Sequence, residues 1–258
     1  MPRFDRLELD PSRNKPDKDG AGDDLLRDEQ HWLRLAESER RQGLYENALR
    51  FYSRSLELDK SQVAGWVGQV RMLIALDENV EAELWARKAL ELFKNQGDLL
   101  AGRAQALCRG KDRSQASAAC DAAMSQPNAT AYRWQVRGEV MIVTRSSVDR
   151  YCFDKAAQLD ADWLVPLEIA QAYLYHSYPS KALGRARHAV EKGADQPFPW
   201  YFQGVCEREL DLLDAAARSF RRVVEIVPNH SDAQRQLTEL NQQGWSPLRT
   251  LRRLFRRR

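Results

Sequence analysis

Large apolar residues recur along this chain at a fixed interval. Trp32, Trp66, Leu100 and Trp134 are successive steps of 34 residues, and so are Ala48, Ala82 and Ala116. Within each interval a helix-like segment begins at the large residue, a short polar break follows, and a second helix-like segment carries small residues. The second segment places Ala48, Tyr52 and Ser55 at steps of four and three, then Ala82, Ala86 and Ala89, then Ala116, Cys120 and Ala123. Such steps fall on one helix face, where a methyl or hydroxyl lets a neighbouring helix come close. Self-similarity at this period predicts stacked helix pairs, each of which needs its neighbour to bury a continuous core.

The pattern continues past the third interval. A fourth unit runs from Trp134 and Gly138 into RYCFDKAAQLDAD, where Phe153 and Ala156 take the packing positions after a deletion of one residue. A fifth contains Ala170, Tyr173, Ala182, Ala186 and Ala189, with Pro166 in place of the aromatic. Its first helix is expected to start near that proline, which a first turn tolerates. The sixth carries Trp200, Gly204, Leu213, Ala216, Phe220 and Pro228. SDAQRQLTELNQQG then reads as one solvating helix between an N-cap at Ser231 and a C-cap at Gly244.

The segment WLRLAESERRQGLYENALRFYSRSLELDK, through Trp32, Leu35, Ala36, Gly43, Tyr45, Ala48, Tyr52, Ser55 and Leu56, resembles the tetratricopeptide repeat family. The resemblance covers residues 29–243. It implies an all-α fold, a right-handed superhelical solenoid of stacked helix-turn-helix repeats. The expected organisation is a disordered segment over 1–28, about six repeats over 29–230, a capping helix over 231–244 and a basic amphipathic tail over 245–258.

The family resemblance also implies a protein-interaction scaffold that holds a partner's peptide or helix in a concave groove lined by the first helices. Register assigns Leu33, Glu37 and Arg40, then Val67, Arg71 and Ile74, then Ala101, Gln105 and Arg109 to that lining in the first three units. The later units supply Tyr132, Gln135, Glu139 and Ile142, then Leu164, Leu167, Gln171 and Leu174, then Phe198, Tyr201, Val205 and Arg208. The second half of this lining is apolar with tyrosines, which suits an amphipathic helix or an extended peptide. The two-carboxylate clamp used by some members needs Lys, Asn and Arg where this chain has residues such as Leu33, Glu37 and Val67, so that mode is unsupported.

Composition narrows the picture without changing it. With 43% hydrophobic and 30% charged residues, the 258-residue chain has the make-up of a globular protein. Its formal charge is +3, but residues 1–30 carry −3 and residues 245–258 carry +6, so the remainder is neutral. Cys108, Cys120, Cys152 and Cys206 lie far apart in helix-like segments, with no CxxC, which reads as free thiols in a reducing compartment. No apolar run is long enough to span a bilayer, and the start lacks a secretory apolar stretch. The expected location is cytoplasmic, with peripheral membrane attachment left open.

Nothing in the sequence points to a reaction, a metal or a cofactor. His31, His176, His188 and His230 are scattered and unpaired with Cys or carboxylates at ligand spacing. There is no Gly-rich phosphate loop and no GxSxG. Asn128-Ala129-Thr130 matches a glycosylation sequon, which carries little meaning in a cytoplasmic chain.

The tail WSPLRTLRRLFRRR is the remaining candidate for chemistry. Ser246 and Pro247 are suited to open a helix, on which Leu248, Leu251, Leu254 and Phe255 form a stripe flanked by Arg249, Arg252, Arg253, Arg256 and Arg257. Such a helix fits an anionic membrane surface, a nucleic-acid backbone, or an acidic groove of another protein. Equally, Trp245 and the leucines can extend the capping helix and leave the arginines solvated.

Overall fold

The computed structural model describes residues 28–244, to which every structural statement below refers. They form thirteen helices: α1 Glu29–Arg41, α2 Tyr45–Leu58, α3 Val63–Ala75, α4 Asn79–Leu92, α5 Gly97–Arg109, α6 Arg113–Ser125, α7 Ala131–Val143, α8 Asp149–Leu159, α9 Leu164–Tyr175, α10 Pro179–Lys192, α11 Pro197–Glu209, α12 Leu213–Ile226 and α13 Ser231–Gly244. No strand occurs among the described residues. The segment expected to be disordered, apart from Asp28, and the whole basic tail lie outside them.

The chain divides into two compact units, Met1–Leu159, which holds α1 to α8, and Asp160–Arg258, which holds α9 to α13. Within the first, each odd-numbered helix packs on the even one that follows, α2, α4 and α6 pack on the next odd one, and successive odd helices touch. The second repeats the scheme: α9 packs on α10, α10 on α11, α11 on α12 and α12 on α13, with α9 against α11. α9 starts two residues before Pro166, which therefore sits in its first turn as expected.

One turn is reused in every pair. Gly43, Asp77, Lys111, Arg145, Ser177 and Asp211 all have positive φ, between 56° and 77°. In each case the next residue donates its N–H to the carbonyl five positions back: Leu44 to Glu39, Glu78 to Leu73, Asp112 to Leu107, Ser146 to Met141, Tyr178 to Tyr173 and Leu212 to Glu207, all at 2.8–3.0 Å. This left-handed closure satisfies the last carbonyls of the first helix and reverses the chain. Five of the six turns lack glycine and carry the steric cost of that conformation. The turn positions repeat every 34 residues except from Arg145 to Ser177, where the step is 32, and α8 between them has only 11 residues.

The small faces explain the close stacking. Ala48, Tyr52 and Ser55, Ala82, Ala86 and Ala89, and Ala116, Cys120 and Ala123 are all buried, as are Ala182, Ala186 and Ala189. Ser55 is tolerated inside because its Oγ donates to the Glu29 carbonyl at 3.1 Å. Where the second helix carries phenylalanine, the first helix must give up a side chain. A Cβ on Gly138 would stand 2.5 Å from the Phe153 ring, and one on Gly204 would stand 2.7 Å from Phe220. The periodic tryptophans pair with an aromatic on the second helix of their own repeat: Trp32 with Phe51, Trp66 with Trp85 and Trp134 with Tyr151, at centroid distances of 5.6–6.0 Å. Trp66 and Trp200 also donate their indole N–H to carbonyls in the preceding loop, Lys60 and Ala194, each at 2.9 Å.

Candidate functional site

Many of the first-helix positions assigned by register are engaged internally. In the first unit a polar network runs from α1 to α7. On α1, Arg40 donates from Nε and Nη2 to Glu37 at 2.9 and 2.7 Å, and Tyr52 Oη of α2 donates to the same carboxylate at 3.2 Å. Burial opposes the charge on Glu37, but Arg40, Arg71 and the Tyr52 hydroxyl outweigh it and hold the carboxyl below its ordinary range. The Tyr52 phenol is pushed up to about 12 by its burial and by the adjacent Glu37 charge.

Further along, the Arg71 guanidinium of α3 lies 4.3 Å over the Tyr132 ring of α7. Tyr132 Oη donates to Gln105 Oε1 at 2.8 Å, and Gln105 Nε2 donates to Glu139 Oε2 at 2.7 Å. Arg109 of α5 donates from Nε to Glu139 Oε1 at 2.7 Å and from Nη1 to the Ile74 carbonyl at 3.2 Å. One guanidinium thus ties α3, α5 and α7 together.

This geometry corrects the expected lining. Tyr132, Gln135 and Glu139 are buried, Glu139 at 1% exposure, so they serve the interior of the first unit rather than an open surface. The physical reason is mutual satisfaction: a carboxylate can be withdrawn from water because Arg109 and Gln105 supply its hydrogen bonds. In the second unit Leu164 and Leu167 are also buried, Leu167 completely. α9, with the sequence LVPLEIAQAYLY, is apolar on nearly all sides, and a helix of that kind is covered on nearly all sides. Phe198 is buried at the start of α11.

Five assigned residues of the second unit keep partial exposure: Gln171 and Leu174 on α9, and Tyr201, Val205 and Arg208 on α11. The last three also face α13. Tyr201 stacks on His230 at 5.4 Å, and Tyr201 and Val205 join Phe220, Leu237 and Leu240 in one cluster. Arg208 donates from Nη1 to Gln236 and stands 3.6 Å from the Glu239 carboxylate. Burial, ahead of the Asp232 charge, raises the Tyr201 phenol above its ordinary value. Sequence reasoning placed α13 at the end of the stack but missed that it reaches these three side chains. The signal was present in the spacing, since Ser231 follows Pro197 by the same 34 residues that separate the starts of α1, α3, α5 and α7.

All four cysteines are free and buried. Burial raises every thiol, Cys120 and Cys206 to about 12, so none is poised as a nucleophile. No cluster of metal-ligating side chains occurs among the described residues, and none of their helices is long and apolar enough to cross a membrane. The nine assigned tail contacts, Trp245, Leu248, Arg249, Leu251, Arg252, Arg253, Phe255, Arg256 and Arg257, lie outside the described residues.

No protein-family model matches the sequence, and no curated protein matches it. Solved structures do. Yeast Tom70 is similar over 88% of this chain at 17% identity and a TM-score of 0.52. A thermophilic tetratricopeptide protein of Thermus thermophilus is similar over 82% at 16% identity and a TM-score of 0.50. A tetratricopeptide protein of Parabacteroides merdae is similar over 82% at 14% identity and a TM-score of 0.50. The chain spans half of the Tom70 chain but 98% of the Thermus one and 84% of the Parabacteroides one. The chain has the helix-pair fold of tetratricopeptide-repeat proteins.

Proposed function

We propose that the protein is a non-catalytic interaction scaffold that holds a partner's peptide or helix on the first-helix faces of its second unit. The observation that carries this reading is the pair of stripes on α9 and α11. Leu164, Leu167, Gln171 and Leu174 follow one another at steps of three, four and three, and Phe198, Tyr201, Val205 and Arg208 do the same. In each stripe the leading residues are buried anchors and the trailing ones are partly open. The two helices touch, and on this reading Gln171 and Leu174 are the open contacts, flanked by Tyr201, Val205 and Arg208, which also meet α13. Such a surface offers an apolar contact with a few polar groups to fix register.

Affinity capture from native extract tests the reading. Leu174→Asp, combined with Gln171→Lys, is expected to abolish partner capture while leaving the circular dichroism unchanged. Removal of residues 245–258 is expected to leave capture intact. The opposite pair of results would shift the activity to the tail, whose arginines suit an anionic membrane or a nucleic acid. Repeating the capture at high salt separates those outcomes, because phosphate-driven binding falls steeply with ionic strength.

A further inference from the structure

We propose that Arg109 and Gln105 form a carboxylate-binding site in the interior of the first unit, and that Glu139 occupies it as an internal ligand. The two donors converge on one carboxylate. Arg109 Nε reaches Glu139 Oε1 at 2.7 Å, Arg109 Nη2 reaches Oε2 at 3.4 Å, and Gln105 Nε2 reaches Oε2 at 2.7 Å.

Each donor is also aimed by a contact that does not involve Glu139. The Ile74 carbonyl holds Arg109 through Nη1 at 3.2 Å, and the Tyr132 hydroxyl fixes the orientation of the Gln105 amide at 2.8 Å. Arg71, stacked on the Tyr132 ring, steadies that hydroxyl in turn. A site whose donors are oriented from behind keeps its shape when the carboxylate leaves. Arg109 is 10% exposed and Glu139 1%, so the interaction takes place largely out of water, where charge-assisted hydrogen bonds are strong.

The ligand class follows from the donors and the burial: a small planar anion with two oxygens, such as a free carboxylic acid the size of acetate. Glu139 is tethered at high effective concentration and excludes such groups from the native protein. The site lies within the first unit, and its existence is independent of any partner bound to the second.

Thermal unfolding in sodium acetate and sodium chloride of equal ionic strength, at neutral pH, tests it. Glu139→Ala removes the carboxylate and leaves space of acetate size. Acetate is expected to stabilise this variant saturably beyond chloride, shifting its folding equilibrium about tenfold when acetate reaches ten times its dissociation constant. The wild type, whose site is filled, and Glu139→Gln, whose side chain still fills the space, are expected to respond to the two salts alike. Adding Arg109→Ala to Glu139→Ala is expected to abolish the acetate effect. If Glu139→Ala is unfolded in chloride, the same titration is read as recovery of far-ultraviolet circular dichroism, and absence of recovery overturns the proposal. Equal responses of folded Glu139→Ala to acetate and chloride, or a response that survives loss of Arg109, also overturn it.

Discussion

Gly204 and Gly184 sit in the middles of α11 and α10, and replacing each with alanine separates the packing of the stack from helix propensity. A Cβ at Gly204 would lie 2.7, 2.9 and 3.0 Å from Cε1, Cζ and Cδ1 of Phe220, a ring that is fully buried. Carbon atoms settle about 3.5–4.0 Å apart, so the ring or a helix must yield by several tenths of an ångström. Overpacking of this kind costs about 1–3 kcal/mol. A Cβ at Gly184 meets nothing within 4 Å. Both substitutions gain about the same helix propensity, roughly 1 kcal/mol, and that gain cancels in the comparison. Gly184→Ala is therefore expected to stabilise the protein, and Gly204→Ala to fall below it by about 1–3 kcal/mol, the overpacking cost alone. Urea unfolding followed by circular dichroism reads both midpoints. Adding Phe220→Leu to Gly204→Ala is expected to lose less stability than Phe220→Leu does alone, because the clash has gone. Gly204→Ala as stable as Gly184→Ala would refute the reasoning that close approach, and not tolerance, put glycine at position 204.

Other outcomes follow from the same contacts. Arg133, buried in α7, donates to Asp98 at 2.8 Å and to the carbonyls of Gln126 and Pro127 at 3.2 and 3.1 Å. Arg133→Ala should cost about 2–4 kcal/mol in urea unfolding, through lost charged hydrogen bonds and an orphaned loop. The thiols set an alkaline limit. Folding holds their protons above the ordinary value of 9.0, to about 12 for Cys120 and Cys206. The unfolded chain releases those protons first, so the contribution is complete below about pH 9 and is lost as pH rises towards 12, by up to about 1.4 kcal/mol per pH unit for each thiol. Cys206→Ala should flatten this slope; stability that does not change between neutral pH and about pH 10 would contradict it. Native protein should also resist thiol-specific reagents until it is unfolded.

The helix pairs were legible because their cause is periodic. Alanines at steps of four and three announce a close-packed face, and Ala82, Ala86 and Ala89 are buried as that pattern requires. The turns were less legible. Of the six left-handed positions only Gly43 is glycine, while Asp77, Lys111, Arg145, Ser177 and Asp211 adopt the conformation because the flanking helices impose it. The candidate lining was legible in side but not in depth. Helical register places Leu167 and Leu174 on one stripe, yet how far each is covered depends on the tilt of neighbouring helices, and Leu167 is buried where Leu174 is partly open. Glu139 and Arg109 stand 30 residues apart. Their pairing belongs to the stacking of α7 on α5, which no local pattern encodes.

Site-specific photocrosslinking tests the central claim most directly. A photoreactive residue at position 174, on the open end of the α9 stripe, is compared with one at Glu191, which is exposed on α10, each with and without residues 245–258. One partner is expected to crosslink at 174 and not at 191, in the presence or absence of the tail. Crosslinking at 191 alone, or crosslinking at 174 that vanishes with the tail, would contradict it.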